Sequence, residues 1–531
     1  MDRLTPFAKI LIIILIFSIV GAKLWGFTSE GYVVGEESAP NQRINQNTVT
    51  ENQNDYQLAG VIPISETPAD TIRISLDEWV GWKPLIDANG GLRTQPGSIN
   101  YNLGIDVEYV IINDATQSAN SLVTGQISGA GYTINRYAFL YNQFVENGLT
   151  PVMTGTLYAS SGGDGVIANT QFTSIESLYG KSVGVARFSE AMALFDWLID
   201  QSSLTEAQRS TMKNNLVMFD TPDDAARAFF AGRLDAAITW QPYLSQAQSA
   251  ADTHLLFSTQ HATNLITGGI VFDYDFVQAN EFALIKLKQG FILAYELYLT
   301  EFGPIREAMP MFSLESDIAI AEMAEDATIL NYRAMIDSMS NGIDQLLFAE
   351  MSDIWASRGE SASRENADNA FTDRIINRLE IEADAIFAPE PEFTAEDREQ
   401  VEEQVAAGND TQALLTMRAD ILFEPNTAIM LQESISEIEQ FVATAQLING
   451  AIILVEGNVA NISNDAESTP FAIQLSEERA REVAKQMQLR GISASRMVIV
   501  GRGIENQIAS NDTEEGRVQN RRTDVSFVIM E

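Results

Sequence analysis

SANSLVTGQISGAGYT, residues 118–133, and AARAFFAGRLDAAITW, residues 225–240, lie over one another without a gap. Ala119 matches Ala226, Gly125 matches Gly232, Ile127 matches Leu234 and Ala130 matches Ala237. Each copy reads as a helix of small and apolar residues, a glycine placed to cap its C-terminus, and a short strand ending in a polar or aromatic tip. Two copies of one supersecondary unit predict two similar lobes. Around them the same grammar continues: Ile72, Ile74 and Leu76 alternate in TIRISLDEWVGWKPL before a turn and a helix, and IDVEYVII at 105–112 reads as a further strand. Strands alternating with helices imply an α/β fold with mostly parallel strands.

In such sheets small ligands bind beyond the carboxyl ends of the strands. Those ends carry Trp79 and Trp82 after the first strand, Thr133 and Asn135 after the first repeat, and Ser160 and Ser161 before the chain crosses over. Ser189 and Glu190 follow KSVGVARF, and Trp240 ends the second repeat. These are the candidate ligand contacts, with helix capping the competing role for Ser189 and core packing that for the tryptophans. Ser189 opens the helix SEAMALFDWLID, so its hydroxyl and free amides suit an anion, as does Arg187. Glu190 would repel an anion and hold an amine instead. The sequence leaves the ligand's charge open.

The remaining chain divides by composition. An apolar run from Ile10 to Ala22, flanked by Arg3, Lys9 and Lys23 and extended by Trp25 and Phe27, predicts an N-terminal transmembrane helix over 1–27. It reads as an uncleaved signal anchor with its N-terminus in the cytoplasm; a cleaved signal is the alternative, and both export the rest. Residues 28–70, rich in Asn, Gln, Glu, Ser and Pro, read as a flexible linker. Residues 303–406 form an acidic helical extension and linker, expected to pack on the two-lobed part (71–302) or on itself. After Ala419 the pattern restarts in a unit assigned to 407–531: strand DILFEP, a helix with Ile435, Ile438, Phe441, Val442 and Ala445 on one stripe, strand AIILVEG, helix SEERAREVAKQMQLRG, and strands RMVIVGRG and RTDVSFVIM. Here Ser476 reads as an N-cap that places Arg479 in the first helical turn. A cation there is disfavoured by up to about 1 kcal/mol, which implies an anionic partner or a salt bridge to Glu477 or Glu478.

Bulk composition removes whole classes of function. The 531 residues exceed one core. With 73 acids against 33 bases, a net charge of −40, phosphate neutralisation is unsupported and nucleic acid is excluded as a partner. Adaptation to high salt and plain acidity explain that charge equally. There are no cysteines, hence no disulfide, thiolate nucleophile, zinc finger or lipid-modified N-terminal cysteine. His254 and His261 are the only histidines, so no catalytic residue, metal site or cofactor is expected. Binding is the expected chemistry.

Four stretches in order, RISLDEWVGWKPLIDA, SLVTGQISGAGYT, VIANTQFTSIESLYGKSVGVARFSEA and AARAFFAGRLDAAITWQPYLSQA, resemble extracytoplasmic solute-binding proteins of the nitrate/sulfonate/taurine and thiamine-precursor type. The resemblance implies a periplasmic-binding-protein-like (type II) clamp, two α/β lobes on a two-strand hinge closing over a small solute. VEG, LSEERAREVAKQM, RMVIVGRG and NDTEEGRVQNRRTDVSF resemble the OmpA-like peptidoglycan-binding domain, an α+β fold. That family grips the carboxylate and amine of a diaminopimelate residue with an arginine, here Arg479, and an aspartate. The aspartate does not carry over: Ala460 takes its place, Asn458 stands where histidine is common, Ala472 replaces an asparagine, and the loop is longer. Asp465 or Glu467 within the longer loop would substitute, and Asn520 and Arg521 would brace the Arg479 helix. The combined expectation is a single-pass inner-membrane protein, mostly periplasmic. It would capture a solute, be tethered to peptidoglycan, and work beside a membrane transporter or sensor. The alternative is a scaffold between membrane and wall with a degenerate clamp.

Overall fold

The alternating isoleucines of the first stretch form β1 (Ile72–Leu76), and β2 (Val107–Ile111), β3 (Gly129–Thr133) and β4 (Pro151–Ser160) join it in one sheet. The chain then crosses at residues 161–163 into a second sheet made of β5 (Asp164–Asn169), β6 (Val183–Ala186), β7 (Val217–Phe219), β8 (Ala236–Trp240) and β9 (Thr253–Ser258). It returns through 259–266 to the first sheet as β10 (Thr267–Asp273), and β11 (Ala327–Ile329) pairs with the edge of β4. The orders are β11-β4-β10-β3-β1-β2 and β7-β6-β8-β5-β9. This computed structural model describes residues 71–379, 393–406, 413–419, 421–424, 427–460 and 469–529, all within one compact unit. The expected membrane segment 1–27 and linker 28–70 lie outside the described residues. Among those described, no helix is long and apolar enough to cross a membrane.

The repeat occupies equivalent places in the two sheets. Helices Ala115–Val123 and Pro222–Phe230 each end before a glycine, Gly125 and Gly232, both at φ 70°. Only a residue without a Cβ takes that left-handed geometry at no steric cost. The strands that follow, β3 and β8, are internal to their sheets, with Ala130 and Ala237 fully buried.

The acidic helices do not form a separate extension. Phe302, Ile305, Met309, Phe312, Ile320, Ile329 and Met335 share one core with Ile72, Ile74 and Trp82, so residues 303–339 and 375–379 complete the first lobe. Helix Ile343–Ser357 packs on helix Ile134–Glu146 of the first lobe and on helix Glu190–Gln201 of the second. Trp355 Nε1 donates to the Asn135 carbonyl at 2.9 Å, and Arg358 clasps Asp196 with two hydrogen bonds of 2.6 Å.

The C-terminal sheet has the order β12-β15-β13-β14, from β12 (Ala413–Ala419), β13 (Ile452–Asn458), β14 (Met497–Gly503) and β15 (Thr523–Val528). Helices Ile435–Leu447 and Thr469–Gln488 belong to this unit. Helix Ala395–Ala406, read from sequence as part of the linker, joins it too: Val401 and Val405 pack with Ile452, Leu454, Val498 and Val528. Two further expectations change. The strand expected in DILFEP is β12, a few residues earlier, where Leu415 and Met417 are buried; Phe423 makes only an isolated bridge to Met430. The helix expected to begin at Ser476 begins at Thr469, because TPFAIQL is itself helix-competent with proline in the first turn. Ser476 is thus fully buried within the helix, its hydroxyl donating to the Ile473 carbonyl and accepting from the Gly503 amide. Arg479 lies well inside the helix, so the first-turn dipole argument does not apply to it.

The glycines of VEG and GRG let this helix lie on the sheet. A Cβ on Gly457 would stand 2.0 Å from the Ser476 carbonyl oxygen, and one on Gly501 would stand 2.5 Å from that of Ile473. Both obstacles are backbone and cannot rotate away. Gly457→Ala is therefore expected to cost about 3 kcal/mol by lifting the helix, read as a lower denaturation midpoint of the C-terminal unit.

Candidate functional site

The strand ends of both lobes meet at the crossings, and there the structure sorts the sequence candidates. Thr133 caps helix Ile134–Glu146 by accepting from the Arg136 amide, and its hydroxyl donates to Glu190 at 2.9 Å. Glu190 also receives Arg136 Nη2 at 3.0 Å and Nε at 3.2 Å. Glu190 opens the second-lobe helix while Thr133 and Arg136 belong to the first lobe. The carboxylate is thus an interlobe latch. Ser160 is fully buried; its hydroxyl meets Asp164 at 2.7 Å and Thr259 at 2.9 Å, and the Ser161 amide donates to the Asp326 carbonyl at 2.7 Å. Trp79 is half-buried between Tyr158 and the crossing, where a Cβ on Gly163 would stand 2.6 Å from its ring. Trp240 stands opposite Asp164 in the β5–β8 register, half-exposed, its Nε1 donating to Asp223 at 3.1 Å.

Three candidates sit behind this surface. Trp82 is fully buried, edge-on to Tyr158, and its Nε1 donates to Asp77 at 2.5 Å. It orients an acid and offers no surface to a ligand. Asn135 is buried under helix Ile343–Ser357, its Nδ2 on Met351 Sδ at 3.0 Å. The Ser189 hydroxyl accepts from the Met192 amide and donates to the Ala186 carbonyl, which is the capping role.

The structure adds acids that the sequence reading passed over. Asp77 follows β1, Asp164 opens β5, and Asp326 precedes β11. Burial pushes Asp164 up to about 7, helped by Glu190 and Asp326 and opposed by the Ser160 hydroxyl. Burial likewise lifts Asp326 to about 6 against a hydrogen bond from Gln241. Asp77 is raised by its surroundings too, but it keeps an open face, so water offsets part of that push. Glu190 differs: burial would raise it, yet the Arg136 charge and the hydrogen bonds it accepts hold it below the usual carboxylate range.

Raised carboxyls carry a sign for stability. Asp164, Asp326 and the buried Asp344, pushed to about 6 mainly by burial, keep protons when folded that the unfolded chain releases. Stability contributed by those protons is lost as pH rises from the ordinary carboxylate range through these values. Lys288, lowered to about 7 by burial, acts only above that pH, and His261, which burial lowers from its ordinary value, opposes the trend as one group against three carboxyls. The thermal midpoint is expected to be higher at about pH 5.5 than at about pH 7. A midpoint that climbs over this interval contradicts the assignment.

In the C-terminal unit Arg479 is buried, its Nε donating to the Thr427 carbonyl at 3.0 Å and its guanidinium 4.8 Å from the Phe423 ring centre. Among the described residues no carboxylate pairs with it. Glu477 is taken by Arg481, and Glu478 accepts from Gln474. Burial and then the Arg521 charge lower its pKa from the ordinary arginine value. A desolvated cation with no counter-ion among the described residues is costly, and an anionic partner would offset that cost. Arg521 itself is half-buried and paired with Glu514 at 2.6 Å. Asn520 is fully buried but braces its own loop, not the Arg479 helix: its Oδ1 accepts from Ile508 and Ala509, and its Nδ2 donates to Ala509 and Asn511. Asn458 donates to Asp524 at 3.2 Å, and Asp465 lies outside the described residues. A groove of about 510 Å³ also opens on the Thr469–Gln488 helix beside Arg398, Arg481, Lys485 and Ile499; its bases face Glu478 and Glu482, and Arg479 is not part of it. Among the described residues no group of His, Asp or Glu is arranged to hold a metal ion.

Over 57% of its length the chain is similar to the solved periplasmic aliphatic sulphonate binding protein SsuA from Escherichia coli, with 14% identity, 97% of that chain covered and a TM-score of 0.43. Outer membrane protein A of Bordetella avium is 32% identical over 116 residues, which are 22% of this chain and 58% of that protein. The peptidoglycan-binding protein ArfA of Mycobacterium tuberculosis is 36% identical over 75 residues, 14% of this chain and 22% of that protein. The chain thus spans 58% and 22% of these curated relatives, less than two thirds of either. Residues 422–521 match the OmpA family model, and this segment is an OmpA domain fused behind the two-lobed fold.

Proposed function

We propose that this chain is an envelope protein that holds a hinged solute clamp against peptidoglycan. The observation that carries the reading is Arg479, a buried guanidinium with no carboxylate partner among the described residues. A peptide-stem carboxylate supplies the missing charge, in keeping with the relative described as peptidoglycan-binding. Asp465 in the longer loop would take the stem amine. The apolar run from Ile10 to Ala22 would anchor the other end in the inner membrane, leaving the bulk in the periplasm beside a fixed transporter or sensor. No bond-making is assigned to the chain.

For the clamp, Asp77, Asp164 and Asp326 favour a cationic solute, since Arg136 and Glu190 neutralise one another. Co-sedimentation with purified sacculi tests wall attachment; protein left in the supernatant refutes it. A thermal-shift screen of small amines against small anions tests the solute class, and stabilisation by anions alone reverses it.

One observation favours a second reading, a scaffold with a closed clamp. Glu190 is latched across the lobes, and helix Ile343–Ser357 packs on both. Substituting Trp240 and Asp164, which stand opposite one another at the crossing, separates the two readings: a receptor loses solute binding, while a scaffold is indifferent.

A further inference from the structure

The return crossing between the lobes has two faces. On one, Thr259 ties the crossings together: its hydroxyl meets Ser160 at 2.9 Å and accepts from the amides of Gly162 at 3.0 Å and Asp164 at 3.3 Å. The Ser160 amide donates to the Ile266 carbonyl at 2.8 Å. The other face is held by the OmpA domain. Asn449 Oδ1 accepts from the Thr263 amide at 3.1 Å and from its hydroxyl at 3.0 Å, Asn264 Nδ2 donates to the Gln446 carbonyl at 2.7 Å, and the Gly450 amide donates to the His261 carbonyl at 2.9 Å. Gly450 lies so close that a Cβ would stand 2.9 Å from His261 Cα. Ala262, Leu265 and Ile266 share a core with Leu447, Ile448 and Ala451. A third point, Thr444 on Gln201 at 3.2 Å, grips the end of the helix whose first residue is the latch Glu190.

Hinge closure is absorbed by a few residues that change φ and ψ at the crossings. Here those residues are bonded to another domain. We infer that the OmpA domain is the brace of the hinge: the 446–450 turn fixes the return crossing, so opening of the lobes and loosening of this docking are one coupled event. The inference rests on the reading of the lobes as a hinged clamp.

The chain has no cysteine, so paired spin labels can be introduced in the full-length protein without a background. Tyr101→Cys with Val217→Cys reports the distance between lobes, and Val217→Cys with Leu489→Cys reports second lobe to OmpA domain; all three side chains are exposed. Gly450→Val is expected to broaden the second distribution and shift the first to longer distances, and Asn449→Ala, a milder change, to do the same to a smaller degree. An unchanged interlobe distance overturns the brace, whether or not the OmpA domain moves, because a turn that tolerates Gly450→Val is not gripping the hinge. Glu190→Ala separates the two failures. If it opens the lobes while the turn variants do not, the clamp stands without its brace; if no variant opens them, the hinged reading fails as well.

Discussion

Arg479→Ala is expected to weaken binding to purified sacculi by about 30- to 5,000-fold while leaving the OmpA domain folded. The range is the cost of about 2 to 5 kcal/mol for truncating one partner of a desolvated charge pair. The fold survives because Arg479 contributes little to it: one hydrogen bond to the Thr427 carbonyl and a stack on Phe423. Those are worth about 1 kcal/mol each, and the variant also relieves a buried positive charge of its repulsion by Arg521. Arg479→Lys keeps the charge and loses the planar fork, so its affinity should fall between the two. Titrating sacculi with each variant, together with a thermal melt, checks both halves. Equal sedimentation of wild type and alanine variant places the wall contact elsewhere, and a collapsed melt makes Arg479 a structural residue.

The strands were legible because their pattern is local. Ile72, Ile74 and Leu76, and the paired Gly125 and Gly232, announce themselves in sequence and stand where expected. What amphipathic helices pack against is not local. The apolar residues Ile305, Phe312, Ile320 and Met335, each on a different short helix, could not name the first lobe as their partner. Ser476 misled for a related reason: serine before two glutamates imitates a helix start, while the buried environment that accepts it mid-helix comes from Gly457 and Gly503 on neighbouring strands. At the crossings the strand-end rule pointed at Thr133, Ser160 and Glu190, which the structure places there in hydrogen bonds to neighbouring protein groups. It also pointed at Asn135, because nothing in residues 343–357 says that this helix will cover it. Asp77 and Asp164 were within the rule's reach, each standing at a strand end in LDEW and GGDG; Asp326 was not, since the pairing of β11 with β4 brings it there.

The largest loss of stability is expected at the pair that joins the lobes at the back. Asp196, on the second-lobe helix, is fully buried, and Arg358 holds both its oxygens while donating a third bond to the Lys213 carbonyl. Arg358 ends the helix whose Trp355 reaches Asn135 of the first lobe. Removing either partner strands the other charge, at about 3 to 5 kcal/mol. The two losses should differ. The Arg358 side chain retains 12% exposure and can turn toward water, so Asp196→Ala is the milder variant. Arg358→Ala leaves a carboxylate with no exposure and no bonded cation, since the nearby Lys213 is held by Asp200, and its remaining escape is to take a proton. Burial already holds the Asp196 carboxyl above its ordinary value against the Arg358 and Lys213 charges; losing Arg358 lifts it further, and the stability of this variant should recover relative to wild type as pH falls toward the ordinary carboxylate range. Replacing both residues by leucine removes the stranded charge altogether and should restore most of the loss. Denaturation midpoints for the three variants across pH check this ordering. An Arg358→Ala protein as stable as wild type at neutral pH means that the helix, not the ion pair, holds the lobes together.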